Sequence, residues 1–490
     1  MPGNASVPRV PINPEVALVD DRPSDAQVHS TGLIVSEPVV IGVPSATKVA
    51  GSHFDIGTIV AVVRFVLEGA ISMRGASRIC GIINNIAGRN PFEYPSHTTV
   101  QNFILRVGLF LLQHNNQRHD DWIWIADHTF SIGTLKVFIV LGIRLSNFSS
   151  LGRPLQYQDL TVLLMLSVES SNGTIVQQQF KELAEKTGNP LAILSDAGSD
   201  LHKGTELFQA DQQEVISLYD IVHLVSRKIE KIMKPDAIWD AFRQACCACA
   251  NAVRQSKLGH LKPPKPRTKA RYMNIDREVR WGARALQILD RVRLGNLKER
   301  QRERLPLELA EARFGWLDEY RNAIKQWELL SLTGRQVISE VRRHGYGTTT
   351  IDAVQRIADS TTDPTCKQLV DGVVATIKPM SEAASRFGRL PSSSEILESL
   401  IGKGKRLLGG TSAGTTNSLT GQLLAMVACT TQITPSLVRT ALTACTIKNL
   451  RSWIKENFGY GLHFTRSLDL TPTPEEQNLR KPKPAAIPNF

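Results

Sequence analysis

The sequence predicts an α/β fold: a mixed five-stranded sheet with flanking helices, interrupted by a large all-α insertion and preceded by a small helical domain. Three observations predict it. Five short apolar runs, bounded by Gly, Asn, Ser and Pro, alternate with amphipathic segments between about residues 122 and 220. An unbroken helical period then fills residues 235 to 391. A separate helical pattern precedes the first strand, over 51 to 117.

The chain divides accordingly. Residues 1–50 are rich in Pro, Val, Ser and Asp without period and read as a flexible leader. Residues 51–117 are the helical N-terminal domain, 118–234 the first part of the core and 235–391 the helical insertion. Residues 392–460 complete the core, and 461–490 read as a flexible tail.

In the N-terminal domain Ile56, Ile59, Val60, Val63 and Leu67 repeat at three and four, and SMRGASRICGIINNIA follows the same period. After GRNPFEYP comes SHTTVQNFILRVGLFLLQ, with Ser96 as N-cap. Three short helices, the last displaying Thr99, Asn102 and Arg106, suit a helix-turn-helix that reads a DNA major groove. A plain bundle bracing the next domain suits the pattern equally.

The strands follow. DWIWIADHTF, TLKVFIVLGIRL and LTVLLMLSVES are three consecutive strands. GTIVQQQFKELAEKTG is an amphipathic helix closed by Gly188, and PLAILSDAGSD is a buried strand ending at Asp196. A short helix, the strand EVISLYD and the helix IVHLVSRKIEKIMK come next. After the insertion, SSSEILESLIGKGKRLL is the last helix of the core, and two more helices, GTTNSLTGQLLAMVACTT and PSLVRTALTACTIKNLRSWIKENFG, close the fold. Strand-strand-strand-helix-strand-helix-strand is the order of an RNase H-like core.

Asp127 stands inside a run too apolar to welcome a lone charge, and Asp196 at the end of another. A buried carboxylate is neutralised by desolvation unless a cation compensates it, so each is a strand-end turn residue or a metal ligand. A third acid lies downstream, where Glu395 and Glu398 are one helical turn apart. Glu398 is preferred because Lys405 follows it by seven residues, two turns along the same face. Carboxylates distant in sequence that converge in space can hold divalent cations at a phosphodiester.

Charge points to the partner. The 490 residues carry a formal net charge of +12, with a pI near 9.4. From Arg254 to Arg304 there are 16 Lys and Arg against 5 acids, nearly the whole excess. Such a stretch suits polyphosphate, or else forms solvated helix faces laced by Arg–Glu pairs. Arg267, Lys269, Arg271, Arg280 and Arg284 are its candidate DNA contacts. Trp281, among them, either stacks on a base or fills a helical core.

The seven cysteines show no paired CxxC spacing; Cys246, Cys247 and Cys249 share one helical run as small residues. No signal peptide and no membrane-length apolar run is apparent, which places the protein in the cytoplasm, with the nucleoid and away from membranes. The Gly-rich LLGGTSAGTT lacks the GK[ST] ending of a phosphate-binding loop.

WIADHTFSIGTLKVFIVLGI, LAILSDAGSDLHKG and SSEILESLIGKGKRLLGG together resemble the DDE transposases of prokaryotic insertion sequences, RNase H-like polynucleotidyl transferases. Asp220-Ile-Val-His223 resembles the C/D-x-x-H motif of several such families. Glu398 and Lys405 match the spacing of the Tyr-Arg-Glu-Lys group, although Pro391 and Ser394 stand where its Tyr and Arg would be. The resemblance implies that Asp127, Asp196 and Glu398 hold two Mg²⁺ (or Mn²⁺), supported by His223, Asp220 and Lys405. It implies a homodimer on double-stranded DNA, both mobile-element ends and target, that cleaves and transfers strands. An RNase H-like nuclease without strand transfer, or a catalytically silent DNA-binding descendant, are the rival readings.

Overall fold

In the computed structural model the sheet runs β3-β2-β1-β4-β5, and its connections follow directly from the apolar runs. The structure describes residues 48–49, 52–114, 117–132, 135–151, 153–168, 170–196, 198–265, 275–296, 298–407 and 416–458. The proposed leader, apart from Lys48 and Val49, and the proposed tail lie outside the described residues, as do Arg267, Lys269 and Arg271.

Strand β1 (Trp122–Ile132) pairs antiparallel with β2 (Leu135–Arg144), which pairs antiparallel with β3 (Thr161–Val168). A short helix, α4 (Leu145–Ser150), follows β2. On its other edge β1 runs parallel to β4 (Ala192–Ser195), and β4 parallel to β5 (Ile216–Tyr219). Antiparallel hairpins need only turns, whereas each parallel step needs a crossover. The crossovers are α5 (Gly173–Thr187) and α6 (Ser199–Asp211). Mixed strands with flanking helices in this order are the sheet that the sequence predicts.

Alternation decides the faces. Trp124, Phe138, Phe180 and Phe208 form one aromatic core beneath α5 and α6, with ring centroids 5.7 to 6.1 Å apart. Ile123, Ile125, Leu194 and Leu218 point the other way and are as fully buried. Each such side chain contributes roughly 1.5–3 kcal/mol on leaving water. The helix α5 ends where Gly188 takes φ +87°, and a Cβ there would lie 2.5 Å from the His119 carbonyl oxygen. Only glycine meets both demands.

Three helices precede the sheet: α1 (Ile56–Leu67), α2 (Met73–Ile86) and α3 (His97–His114). Asp55 caps α1 and Ser96 caps α3, each accepting from the backbone three residues on. After β5 come α7 (Ile221–Met233) and then α8 (Ala237–Val253), α9 (Ile275–Arg293), α10 (Glu299–Arg304), α11 (Leu307–Phe314) and α12 (Arg321–His344). Helices α13 (Thr350–Ser360) and α14 (Pro364–Ala384) lead back to the core. This stretch is not wholly helical: β6 (Tyr346–Gly347) and β7 (Arg389–Leu390) pair antiparallel beside the returning helix.

The chain then forms α15 (Glu395–Leu407), α16 (Thr416–Ala428), α17 (Pro435–Ala444) and α18 (Ile447–Phe458). The expected single helix from Pro435 onward is two, because Thr446 starts a new one by accepting from Asn449 N. All the described residues belong to one unit spanning Val40–Phe490. Helix α3 packs chiefly on α16 and α17 rather than on α1 and α2, so the N-terminal helices are built into the closing helices.

Candidate active site

The register between parallel strands assembles the acids. Ala126 pairs with Ser195, and Ser195 with Tyr219. Asp127, Asp196 and Asp220 are therefore the next residues on three adjacent parallel strands, on one face, with neighbouring backbones about 4.8 Å apart. Carboxyl ends of parallel strands are where open α/β sheets place their chemistry.

The three aspartates have different fates. Asp220, 1% exposed, is saturated. One oxygen accepts from Val222 N and His223 N at 2.8 and 2.9 Å, capping α7. The other accepts from Ser394 N and Ser394 Oγ at 2.5 and 3.0 Å, just ahead of α15. One carboxylate thus fixes the first turn of α7 to the entry of α15. Asp196 accepts from Gly198 N at 2.8 Å in a turn.

Asp127 is the uncompensated one. Burial, and then the like charge of Asp196, push its carboxyl up to about 7; Glu398 adds to the effect and His223 opposes it. Glu398 lies on α15, which packs against β1. Its carboxylate accepts a 3.1 Å hydrogen bond from His223 Nε2 and is half-exposed. That bond holds Glu398 below the ordinary carboxylate range. Burial works against a charged His223, but the bond to Glu398 and the charges of Asp220 and Asp196 outweigh it and raise its pKa. Glu395, the alternative third acid, is ion-paired with Arg342 instead. Lys405 is exposed near the end of α15, and Lys403 sits 5.0 Å over the Tyr157 ring.

Among the described residues no three His, Cys, Asp or Glu side chains stand close enough to chelate an ion as placed. Asp127 and Asp196 adjoin, whereas Glu398 is turned to His223. Electrostatics accounts for this, since three carboxylates repel one another unless a cation sits between them. The donor set nonetheless suits a divalent cation. Its atoms are hard carboxylate oxygens, and the raised pKa of Asp127 is the conflict that such a cation would relieve.

Sequence reasoning missed the neighbours on the other side of Asp196. His128 Nε2 and Ser171 Oγ are 3.1 Å apart, and His128 Nδ1 lies 3.6 Å from Asp200 Oδ2. Burial lowers the basicity of His128, and Asp200 opposes that shift. Gly198 lets Asp196 and Asp200 approach: a Cβ there would meet their oxygens at 3.2 and 3.4 Å. The signal was present in SDAGSD, where two acids flank a small-residue turn.

The expected DNA-facing residues divide. Arg280 and Arg284 are exposed on one face of α9, together with Arg277, which the sequence reading did not name, and the three line a groove of about 640 Å³ with Lys262 and Trp281. Trp281 donates its indole N–H to the Leu261 carbonyl at 2.9 Å and stacks 6.3 Å from Trp316, so it is half core and half groove wall. On α3, Thr99 and Asn102 are partly exposed. Arg106 corrects the sequence reading. Its guanidinium is buried, donating to the carbonyls of Leu442 and Cys445, because α17 covers that face of α3. It does not face a DNA groove. All seven cysteines are free, with Cys246 and Cys249 buried and Cys247 exposed. None of the described helices is long and apolar enough to cross a membrane.

No family model and no curated protein matches the chain. Eleven chains of solved structures match it. One belongs to the Drosophila P element transposase strand transfer complex, at 12% identity over 77% of this chain and 92% of that chain, with a TM-score of 0.38. A superposition that loose leaves the reading to rest on the site's own geometry.

Proposed function

We propose that this protein is a transposase of the DDE type, a metal-dependent polynucleotidyl transferase that cleaves and joins strands at the ends of a prokaryotic mobile element. The observation that carries the proposal is the parallel register of β1 on β4, which sets Asp127 and Asp196 side by side one residue past the Ala126–Ser195 pair, with Glu398 held close by on His223. Two divalent cations, Mg²⁺ or Mn²⁺, held by Asp127, Asp196 and Glu398 would supply nucleophile activation and charge stabilisation at the leaving oxygen.

The chain's own residues do the rest. Asp220 sets α7 and α15 in register, so that His223 holds Glu398 at the rim of the sheet. His223 can release Glu398 to a bound ion and keep a proton near the departing oxygen. The reaction forms a phosphorus–oxygen bond from water and breaks that to the 3′ oxygen, which keeps its electron pair and takes up a proton. The freed 3′-OH then attacks a target phosphodiester in line, giving up its proton and forming a new phosphorus–oxygen bond while the target strand's own 3′ oxygen leaves with its electron pair and takes up a proton. The arginine face of α9 offers backbone contacts to the duplex. A homodimer in the cytoplasm would present two such sites to two ends.

The testing experiment incubates a labelled duplex from an element end with the protein in Mg²⁺, Mn²⁺ or EDTA. Cleavage in the first two and none in EDTA is expected, followed by joined products when target DNA is added. Cleavage without joining would leave only a nuclease, and duplex binding without cleavage only a silent descendant. Glu398→Gln should reduce cleavage at least about a hundredfold, while Glu395→Gln should keep it within a few-fold. The reverse ranking would move the third acid one turn. Replacing Arg277, Arg280 and Arg284 together by Ala should lower the slope of log affinity against log salt by about 3, at roughly 0.9 per lost phosphate contact. An unchanged slope would remove α9 from the interface.

A further inference from the structure

A second basic surface lies beside α15, built from residues that no single stretch of sequence brings together. Arg153 comes from the segment before β3, Arg342 and Arg343 from the end of α12, and Arg389 from β7. With Ile396 and Ser399 of α15 they line a groove of about 860 Å³. Four guanidinium groups line it with one acid, Glu395, and with Asp159 bound to Arg153 two positive charges, on Arg343 and Arg389, are left over.

The arginines are held differently. Arg153 is clamped by both oxygens of Asp159 at 2.8 Å, and Arg342 by Glu395. Arg389 lies 5.1 Å over the Phe148 ring, and like Arg343 it is exposed. Gathering like charges in a concave surface costs free energy unless an anion occupies it, and low-dielectric walls focus the field toward that anion. The walls are partly apolar, with Phe148, Pro154 and Ile396 among them. A groove that joins fixed guanidinium groups to apolar surface suits an unpaired strand, whose phosphates take the charges while sugars and bases lie on the wall. The groove also borders the helix of the site: Glu395, Ile396 and Ser399, which line it, lie on α15 within one turn of Glu398, and Arg342 is ion-paired with Glu395.

We infer that this groove holds a single DNA strand running to or from the carboxylate site, separately from the duplex surface on α9. The inference rests on the function proposed above and deepens it by naming the substrate's form. It is tested by anisotropy of a fluorescent single-stranded oligonucleotide in EDTA, so that a failure of metal chemistry does not enter.

Arg343→Ala with Arg389→Ala should weaken single-strand binding about tenfold and lower its salt slope by about 1.4, at roughly 0.7 per phosphate on a single strand. Binding of a blunt duplex should change less than about twofold. The paired Lys variants should keep most of the slope, which a merely structural role of the arginines would not predict, and circular dichroism checks the fold. Unchanged single-strand affinity would overturn the inference, as would equal losses on both DNA forms. So would displacement of the strand by an acidic peptide at lower concentration than by unlabelled oligonucleotide. If cleavage of element ends fails while the arginine dependence holds, the proposed reaction falls and the groove stands.

Discussion

Asp127→Asn is expected to abolish metal-dependent strand cleavage while making the metal-free protein more stable at neutral and alkaline pH. The two effects share one cause. In the fold, burial and the Asp196 charge raise the Asp127 carboxyl from 3.8 to about 7. Between those values the native state holds a proton that the unfolded chain has released. Stability of the metal-free wild type therefore falls as pH rises from about 4 to about 7, by at most about 4 kcal/mol at 1.36 kcal/mol per unit. Asparagine carries no such proton and should flatten that part of the profile. A divalent cation reverses the sign for the wild type, because it takes the place of the proton on the carboxylate. Urea denaturation at pH 5 and pH 8, with Mg²⁺ and with EDTA, reads all of this. Cleavage should fall at least about a hundredfold. Coincident wild-type and variant profiles in EDTA would mean that Asp127 is not the strained carboxylate, and the site would lose its centre.

Much of this was legible because strands advertise themselves. Trp122 to Ile125 and Leu191 to Leu194 are apolar runs ended by an acid, and strand order alone brings those acids side by side. Ser96 and Gly188 were legible for a local reason, since a cap is decided by its own few residues. What remained hidden depends on register and on chain return. Ser171, His128 and Asp200 meet because β1 and α6 meet, and no periodicity records that. The arginine groove draws on segments far apart in sequence. Arg106 misled for a related reason. On a helix with apolar neighbours, an arginine aimed at DNA and one capping another helix look alike in sequence.

Gly108→Val should be among the most damaging single changes in the chain, and it bears on whether the first three helices form a separate module. Gly108 lies within α3, where a Cβ would stand 2.0 Å from the Leu424 carbonyl oxygen and 2.8 Å from its carbon. Those are backbone atoms of α16 and cannot swing aside as a side chain would. Adding three carbons there forces α3 and α16 apart and so disturbs the seat of α3, including the bonds of Arg106, two residues earlier, to the carbonyls of Leu442 and Cys445. A loss of about 3 kcal/mol is expected, at the upper end of overpacking costs. Gly402→Ala is the matched control, since a Cβ on that α15 residue meets nothing within 4 Å. It should leave stability unchanged or raise it by up to about 1 kcal/mol. Chemical denaturation of both variants decides the matter. If Gly108→Val were as stable as wild type, α3 would not be seated on α16. The N-terminal helices could then act alone, and a helix-turn-helix reading with Arg106 released to DNA would regain its basis.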